Sequence, residues 1–324
     1  MSSKKAITVR IGTRGSTLAR WQANWVAAEL GRRYQHMEFS LVTLSTKGDT
    51  IVDAPLSGLG GKGLFVREID EALLAGRIDL AVHSMKDLPA EIPDGIQLAA
   101  VPPREDPRDV IISADGLRLE ELPRGATVGT SSLRRRAQLL HIRPDLNVVD
   151  LRGNVDTRLR KLRQRQGGLQ AIVLAAAGIK RMGLWDQVTE VLEPEGFLPA
   201  IGQGALAVQA RSQDQGLQEL LQPIDDPKSR AAVTAERALM AELQGGCQVP
   251  IAALATVALG GQMTLRGMVA DLGGEPLFRA QISGDMAEAR ELGVKMARVL
   301  AQRGAREVLD KLRSCLPGTS SKRS

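Results

Sequence analysis

The chain has 324 residues, 43 % of them apolar, enough for more than one hydrophobic core, so two or three domains are expected. Aromatic residues make up 2 %, too few for modules that stack bases on Phe or Tyr platforms, and two cysteines, Cys247 and Cys315, exclude a disulfide framework. The net charge of +6 is smaller than that of one window: between Arg134 and Arg165 ten cations face three aspartates, a local charge of +7, which points to an anionic partner.

Ile7 to Ile11 reads as a buried strand, and Ser16 to Arg33 as a helix carrying Leu18, Trp21, Trp25, Val26 and Leu30. The preceding Met-Ser-Ser-Lys-Lys has no apolar signal core, and no apolar run approaches the roughly 18 residues of a membrane span. A soluble, unexported, cytoplasmic protein is therefore expected. Glu38 to Leu44 is the next strand. A Gly-rich loop, Ser57 to Gly63, precedes a helix at Leu64 to Ala75, and Asp79 to Val82 is a short strand ending at His83-Ser84. Ile96 to Val101 and Val110 to Ile112 flank Pro102 to Arg108, a hinge or crossover between domains. Strands at Thr127-Val128, Asn147 to Leu151 and Ala171 to Leu174 then alternate with helices at Ser132 to His141 and Asn154 to Gln164. Such alternation predicts α/β units with largely parallel sheets. Gly202-Gln203-Gly204 begins another strand, Ala205 to Gln209. Beyond Pro223 a long helix, Pro227 to Leu243, several strands and terminal helices predict a smaller α+β domain.

In open α/β sheets, ligands sit at the carboxyl ends of strands, where the following helices present free N–H groups. Gly129-Thr130-Ser131-Ser132 follows a strand and opens a helix, with Arg134 and Arg135 in its first turn. Arg152-Gly153-Asn154 repeats the arrangement, with Arg158 one turn on. Arg160, Arg163 and Arg165 spread around their helix as solvated charges do. Gly58 to Gly63 fails as a Walker loop, because Gly63 stands where Ser or Thr must bind magnesium; a surface loop and a flap over a site both fit. His83-Ser84-Met85-Lys86-Asp87-Leu88-Pro89 ends a strand, and fits either a turn with an Asx-type hydrogen bond or a catalytic segment. His36, His83 and His141 lack ligand spacing, so no metal site is expected. Cys247, in Gly245-Gly246-Cys247-Gln248-Val249-Pro250, fits a small apolar turn residue or a thiol available for covalent attachment.

Together these segments resemble the porphobilinogen deaminase (hydroxymethylbilane synthase) family over about residues 7 to 315. The resemblance rests on Gly12 to Ser16, GGKGLF (Gly60 to Phe65), HSMKDLP (His83 to Pro89), REDPRD (Arg104 to Asp109), VGTSSLRRR (Val128 to Arg136), LRGNVDTRL (Leu151 to Leu159), LPAIGQGAL (Leu198 to Leu206) and GGCQVP (Gly245 to Pro250). It loosens after Pro250, and Gln164 to Gln170 is longer than the usual pattern.

The resemblance implies a transferase of tetrapyrrole (haem and chlorophyll) biosynthesis. Four porphobilinogen molecules are joined head to tail into hydroxymethylbilane, ammonia is released each time, and a dipyrromethane primer is held by a thioether to Cys247. The implied fold is two similar α/β domains, like those of bilobed anion-binding proteins, around a cleft, plus a smaller α+β C-terminal domain. The boundaries expected are 1–103 with 202–222, then 104–201, then 223–324. Asp87 is the expected catalytic residue. Ser84, Lys86, Asp87, Thr130, Ser132, Arg134 and Arg135 are expected to hold the cofactor, and Arg14, Ser16, Gln22, Lys62, Arg152, Arg158 and Arg181 the substrate; Arg181 enters mainly through the resemblance. A monomer acting on a small molecule, without nucleic acid or membrane, follows. A bilobed carrier of small anions would need no cysteine, and a nucleic-acid binder would show steeply salt-dependent affinity. Neither explains the placement of Asp87 and Cys247.

Overall fold

The computed structural model describes residues 7–46, 66–244 and 249–314; the Gly-rich segment with Lys62, as well as Cys247 and Cys315, lies outside the described residues. β1 (Ile7–Arg14) buries Val9 and Ile11 and pairs in parallel with β2 (Met37–Leu44) across α1 (Thr17–Arg33). Ser16 caps α1, its hydroxyl accepting from the Ala19 amide, so the helix starts where its first free N–H groups find an acceptor. α2 (Arg67–Leu74), β3 (Leu80–Ser84) and β4 (Ile96–Ala100) follow. The chain then crosses to β5 (Asp109–Ser113), β6 (Thr127–Gly129), α3 (Leu133–Ile142), β7 (Asn147–Val149), α4 (Val155–Arg163), β8 (Leu169–Ala175), α5 (Ala176–Arg181) and β9 (Glu190–Leu192). It returns through β10 (Leu206–Arg211) and α6 (Gln215–Leu221). α7 (Pro227–Glu242), β11 (Ile251–Val257), β12 (Gln262–Ala270), β13 (Leu277–Asp285), α8 (Ala289–Leu300) and α9 (Arg306–Ser314) complete the described chain.

The first sheet runs β2-β1-β3-β10-β4 and the second β7-β6-β8-β5-β9. These are one topology built twice. In each, the strand between the third and the last is antiparallel to both neighbours, β10 to β3 and β4, β5 to β8 and β9. Each of these strands is the first laid down after the chain has crossed from the other sheet, so it runs against the βαβ strands it joins. The sheets are therefore mixed where largely parallel ones were expected. The third sheet, β11-β12-β13, is an antiparallel meander. One of its faces packs on α7 and α8 through Leu239, Leu265, Met296 and Leu300, and the other meets Ala137 of α3 through Ala252, Leu254 and Met268. The expected α/β pair with a smaller α+β unit is the architecture observed. No helix among the described residues is long and apolar enough to cross a membrane.

The strand expected at Ala205 to Gln209, after Gly202-Gln203-Gly204, is β10, Leu206–Arg211; Gly202 and Gly204 before it take φ of +69° and +88°, outside the β region. α5 was not anticipated: its first turn follows β8 directly at Ala175, which offers no capping side chain to read.

Segments 102–108 and 201–204 join the two larger sheets, and both lean on α7. Glu236, fully buried on α7, accepts from Arg104 at 2.6 and 3.2 Å, from the Gly202 amide at 2.7 Å and from the Ala255 amide at 2.8 Å. One carboxylate thus ties both hinge segments to the third sheet.

Candidate active site

A cleft of about 740 Å³ opens at the carboxyl ends of β1, β3 and β8, between the two larger sheets. On the first side, Arg14 ends β1, Ser16 caps α1, and Gln22, buried on α1, donates to the Ser84 hydroxyl at 2.8 Å. β3 then runs into a tight 3-10 turn, Met85–Asp87, anchored by the Met85 amide donating to the Ala205 carbonyl at 3.0 Å. Met85 is swallowed by the core, so its neighbours Lys86 and Asp87 are left on the cleft floor. His83, 5 % exposed, also reaches the lining; its Nε2 is buried without a hydrogen-bond partner among the described residues.

The second side follows from two strand-to-helix turns. Ser131 donates to the Leu151 carbonyl at 2.9 Å and pins the first turn to the second. Ser132 and Asn154 cap α3 and α4, accepting from the Arg135 and Thr157 amides. Gly153, at φ +111°, would set a Cβ 2.6 Å from Thr157 and so lets Arg152 turn toward the cleft. Arg135, Arg152, Arg158 and Arg181 line this side. The sides touch where Leu18 of α1 meets Gly178 of α5 and where the Arg181 guanidinium lies 5.9 Å from the Trp21 ring centroid.

Among the described residues the lining therefore carries six cations, Arg14, Lys86, Arg135, Arg152, Arg158 and Arg181, and one carboxylate, Asp87. Burial, then the neighbouring Arg135, pushes the Lys86 ammonium down to about 8, against the pull of Asp87 and Asp109. Arg158 is pushed down to about 10 by burial and by Arg135, with Asp87 opposing, and burial brings Arg181 to about 10. The Asp87 charge thus acts on Lys86 and on Arg158, on opposite sides. A site where burial and mutual repulsion already strain several cations gains most from an anion carrying several charges.

Three of the expected ligands stand elsewhere. Arg134, 5 % exposed, donates to Asp109 at 2.7 Å and to the Leu198 carbonyl at 2.6 Å, away from the cleft lining. Ser132 is occupied as a helix cap. Thr130 is buried and accepts from the Ser132 amide. Ser131, not singled out individually, lines the cleft in their place. Asp109, fully buried, also takes both Nε and Nη2 of Arg135. Burial pushes its carboxyl up, but Arg134 and Arg135 prevail and hold it well below the usual carboxylate range. Asp109, Gln203 and Glu236 were missed as site supports. Gln203 stands between two glycines and Glu236 on an alanine-rich helix, a mismatch that was the available signal, whereas Asp109 closes the charged run Arg104 to Asp109 and offered none.

The motifs of both sides recur in known proteins. Residues 9–219 match the family model "Porphobilinogen deaminase, dipyromethane cofactor binding domain", and residues 230–302 match its C-terminal domain. A protein of Pelobacter propionicus named porphobilinogen deaminase is 51 % identical over 304 residues, 94 % of this chain and 97 % of its own length. Proteins of the same name from Syntrophobacter fumaroxidans and Geobacter sulfurreducens are 50 % and 52 % identical, covering 94 % and 93 % of this chain and 97 % and 93 % of their own. With both family models matched in order and half the residues identical across nearly the whole length, the chain belongs to the porphobilinogen deaminase family.

Proposed function

We propose that this chain joins four porphobilinogen molecules head to tail into hydroxymethylbilane, releasing one ammonia per unit, from a dipyrromethane primer held by a thioether to Cys247. Membership of the family supports the activity. The observation that carries it is the cleft itself, where six cations surround a single carboxylate among the described residues. Each pyrrole bears an acetate and a propionate, so both primer and growing chain are polycarboxylates that this lining fits. When bound, the primer supplies the free pyrrole α-carbon at which extension occurs.

The protein's own groups divide the remaining work. Arg14, Arg135, Arg152, Arg158, Arg181 and Lys86 bind ring carboxylates, each contact contributing about 1.5–3 kcal/mol. Ser16, Gln22 and Ser84 orient the first side, and Lys62 contacts substrate from the glycine-rich segment. Thr130, Ser132 and Arg134 act on the cofactor indirectly, through the position of Arg135. Asp87 accepts pyrrole N–H bonds, stabilises positive charge that develops on the substrate as ammonia leaves, and takes the proton lost from the attacked α-carbon. The three-domain division at 103/104, 201/202 and 222/223, a monomeric state, a cytoplasmic site of action and independence of nucleic acid belong to the same reading.

Intact mass under denaturing conditions tests it. Wild type should exceed its polypeptide mass by two linked porphobilinogen units, and Cys247→Ala should not. A wild-type chain that stays unmodified after incubation with porphobilinogen overturns the proposal.

A further inference from the structure

The hinge segment 201–204 reaches the other, 102–108, through a glutamine whose amide is fully engaged. Gln203 is 1 % exposed; its Nε2 donates to the Pro107 carbonyl at 2.7 Å, to Asp109 Oδ1 at 2.9 Å and to the Arg108 carbonyl at 3.2 Å. Its Oε1 accepts from Lys86 Nζ at 3.4 Å. Flipping the amide would turn its oxygen toward two carbonyls and a carboxylate, so its orientation is set by its surroundings. The flanking glycines make the approach possible. A Cβ on Gly202 would fall 2.5 Å from Met85 Cγ, and one on Gly204 2.2 Å from the Glu105 carbonyl oxygen. The segment is thus pressed against both the Met85–Asp87 turn and the opposite hinge segment.

The bonds continue past the hinge. Asp109, which receives one Gln203 proton, holds Arg135 through Nη2 at 2.7 Å, and Arg135 lines the cleft. Lys86, Gln203, Asp109 and Arg135 therefore form one chain from the first side of the cleft to the second, passing through one hinge segment at Gln203, which also bonds the other at the Pro107 and Arg108 carbonyls. We propose that Gln203 is a positioning residue for the condensation: it fixes the Lys86 ammonium relative to Arg135, and holds that pair of cations in register only while the hinge segments are apposed. The proposal rests on the deaminase reading and adds to it how hinge geometry reaches the carboxylate-binding groups.

The groups facing Lys86 are Asp87 on its own turn, Arg134 and Arg135 on α3, Asp109 on β5, and the Gln203 carbonyl. Gln203 is the neutral acceptor in a largely cationic setting. Removing it should lower the pH at which Lys86 loses its proton, whereas a carboxylate in its place should raise that pH. A residue that only supports the fold would move neither in opposite directions.

The test uses holoenzyme of wild type, Gln203→Met and Gln203→Glu. The apparent pKa of Lys86 is read by trace acetic-anhydride labelling and peptide mass, and kcat and KM are followed from pH 6 to 9.5. Gln203→Met should lose kcat by about tenfold to a hundredfold with a smaller change in KM. Its Lys86 titration should move to lower pH, and that of Gln203→Glu to higher pH. Folded variants whose Lys86 titrates as in wild type, or in the same direction for both, overturn the proposal. If Gln203→Met does not fold, the Gln203→Glu titration decides alone, an unmoved Lys86 being the overturning result. Wild type that releases no ammonia from porphobilinogen would remove the deaminase reading, and the condensation role with it, while the labelling still decides whether Gln203 fixes Lys86.

Discussion

Glu236→Ala removes the carboxylate on which the hinge, α7 and the third sheet converge. Glu236 is fully buried and Arg104 only 9 % exposed at its side chain, so the substitution strands a cation where water cannot replace its partner. Breaking a buried pair from one side costs about 3–5 kcal/mol. The amides of Gly202 and Ala255 lose their acceptor as well, at about 1–3 kcal/mol each, although relaxation keeps these costs from adding in full. We therefore expect a loss of roughly 4–6 kcal/mol. Urea unfolding followed by tryptophan fluorescence reads it, with Trp21 and Trp25 on α1 and Trp185 beyond α5 reporting both larger sheets. Glu236→Leu with Arg104→Met should recover part of the loss, since apolar groups then replace both charges, leaving unsatisfied the two amides and the Gln203 carbonyl that Arg104 Nε had served. A single variant within about 1 kcal/mol of wild type, or a double variant no better than the single, refutes the reasoning.

The two kinds of arginine should separate cleanly. Arg134→Met should cost roughly 3 kcal/mol because it strips Asp109 of one buried partner, while Arg152→Met should leave the urea midpoint almost unchanged and raise KM. Asp87→Asn should keep the fold and the primer mass yet lose about 10²–10⁴ in turnover; near-normal turnover removes Asp87 from the chemistry. His83 is pushed down to about 4, first by burial and then by Arg14, so the folded chain keeps it neutral while the unfolded chain protonates it near its ordinary pKa of 6.5. Its contribution to stability is therefore lost as pH falls from about 6.5 toward 4, about 2 kcal/mol of it by pH 5. The drop in urea midpoint between pH 7.5 and 5 should be smaller in His83→Gln; an equal drop in both would show that His83 is not responsible.

Much of this molecule is written locally. The caps at Ser16, Ser132 and Asn154 begin helices because a side-chain oxygen answers the first free amides within three residues, and such signals need no tertiary partner. The strand-to-helix alternation and the placement of the basic window at helix starts are legible for the same reason. So is the family, through ordered motifs. α5 was not legible, because it has no cap.

The sequence by itself determined that the chain would build α/β units and concentrate arginines at strand ends. Only the tertiary structure decided which arginine does what. Arg134 and Arg135 are adjacent on one helix and share Asp109, yet Arg135 lines the cleft while Arg134 turns inward to the Leu198 carbonyl 64 residues away. Gln203 reaches Lys86 across 117 residues, and Glu236 reaches Arg104 across 132. Helix caps and hydrophobic periodicity act over a few residues, and so can be read in order along the chain. The partner of a buried charge is whichever group the folded backbone brings within about 3 Å, and that is settled only when the sheets have closed around it.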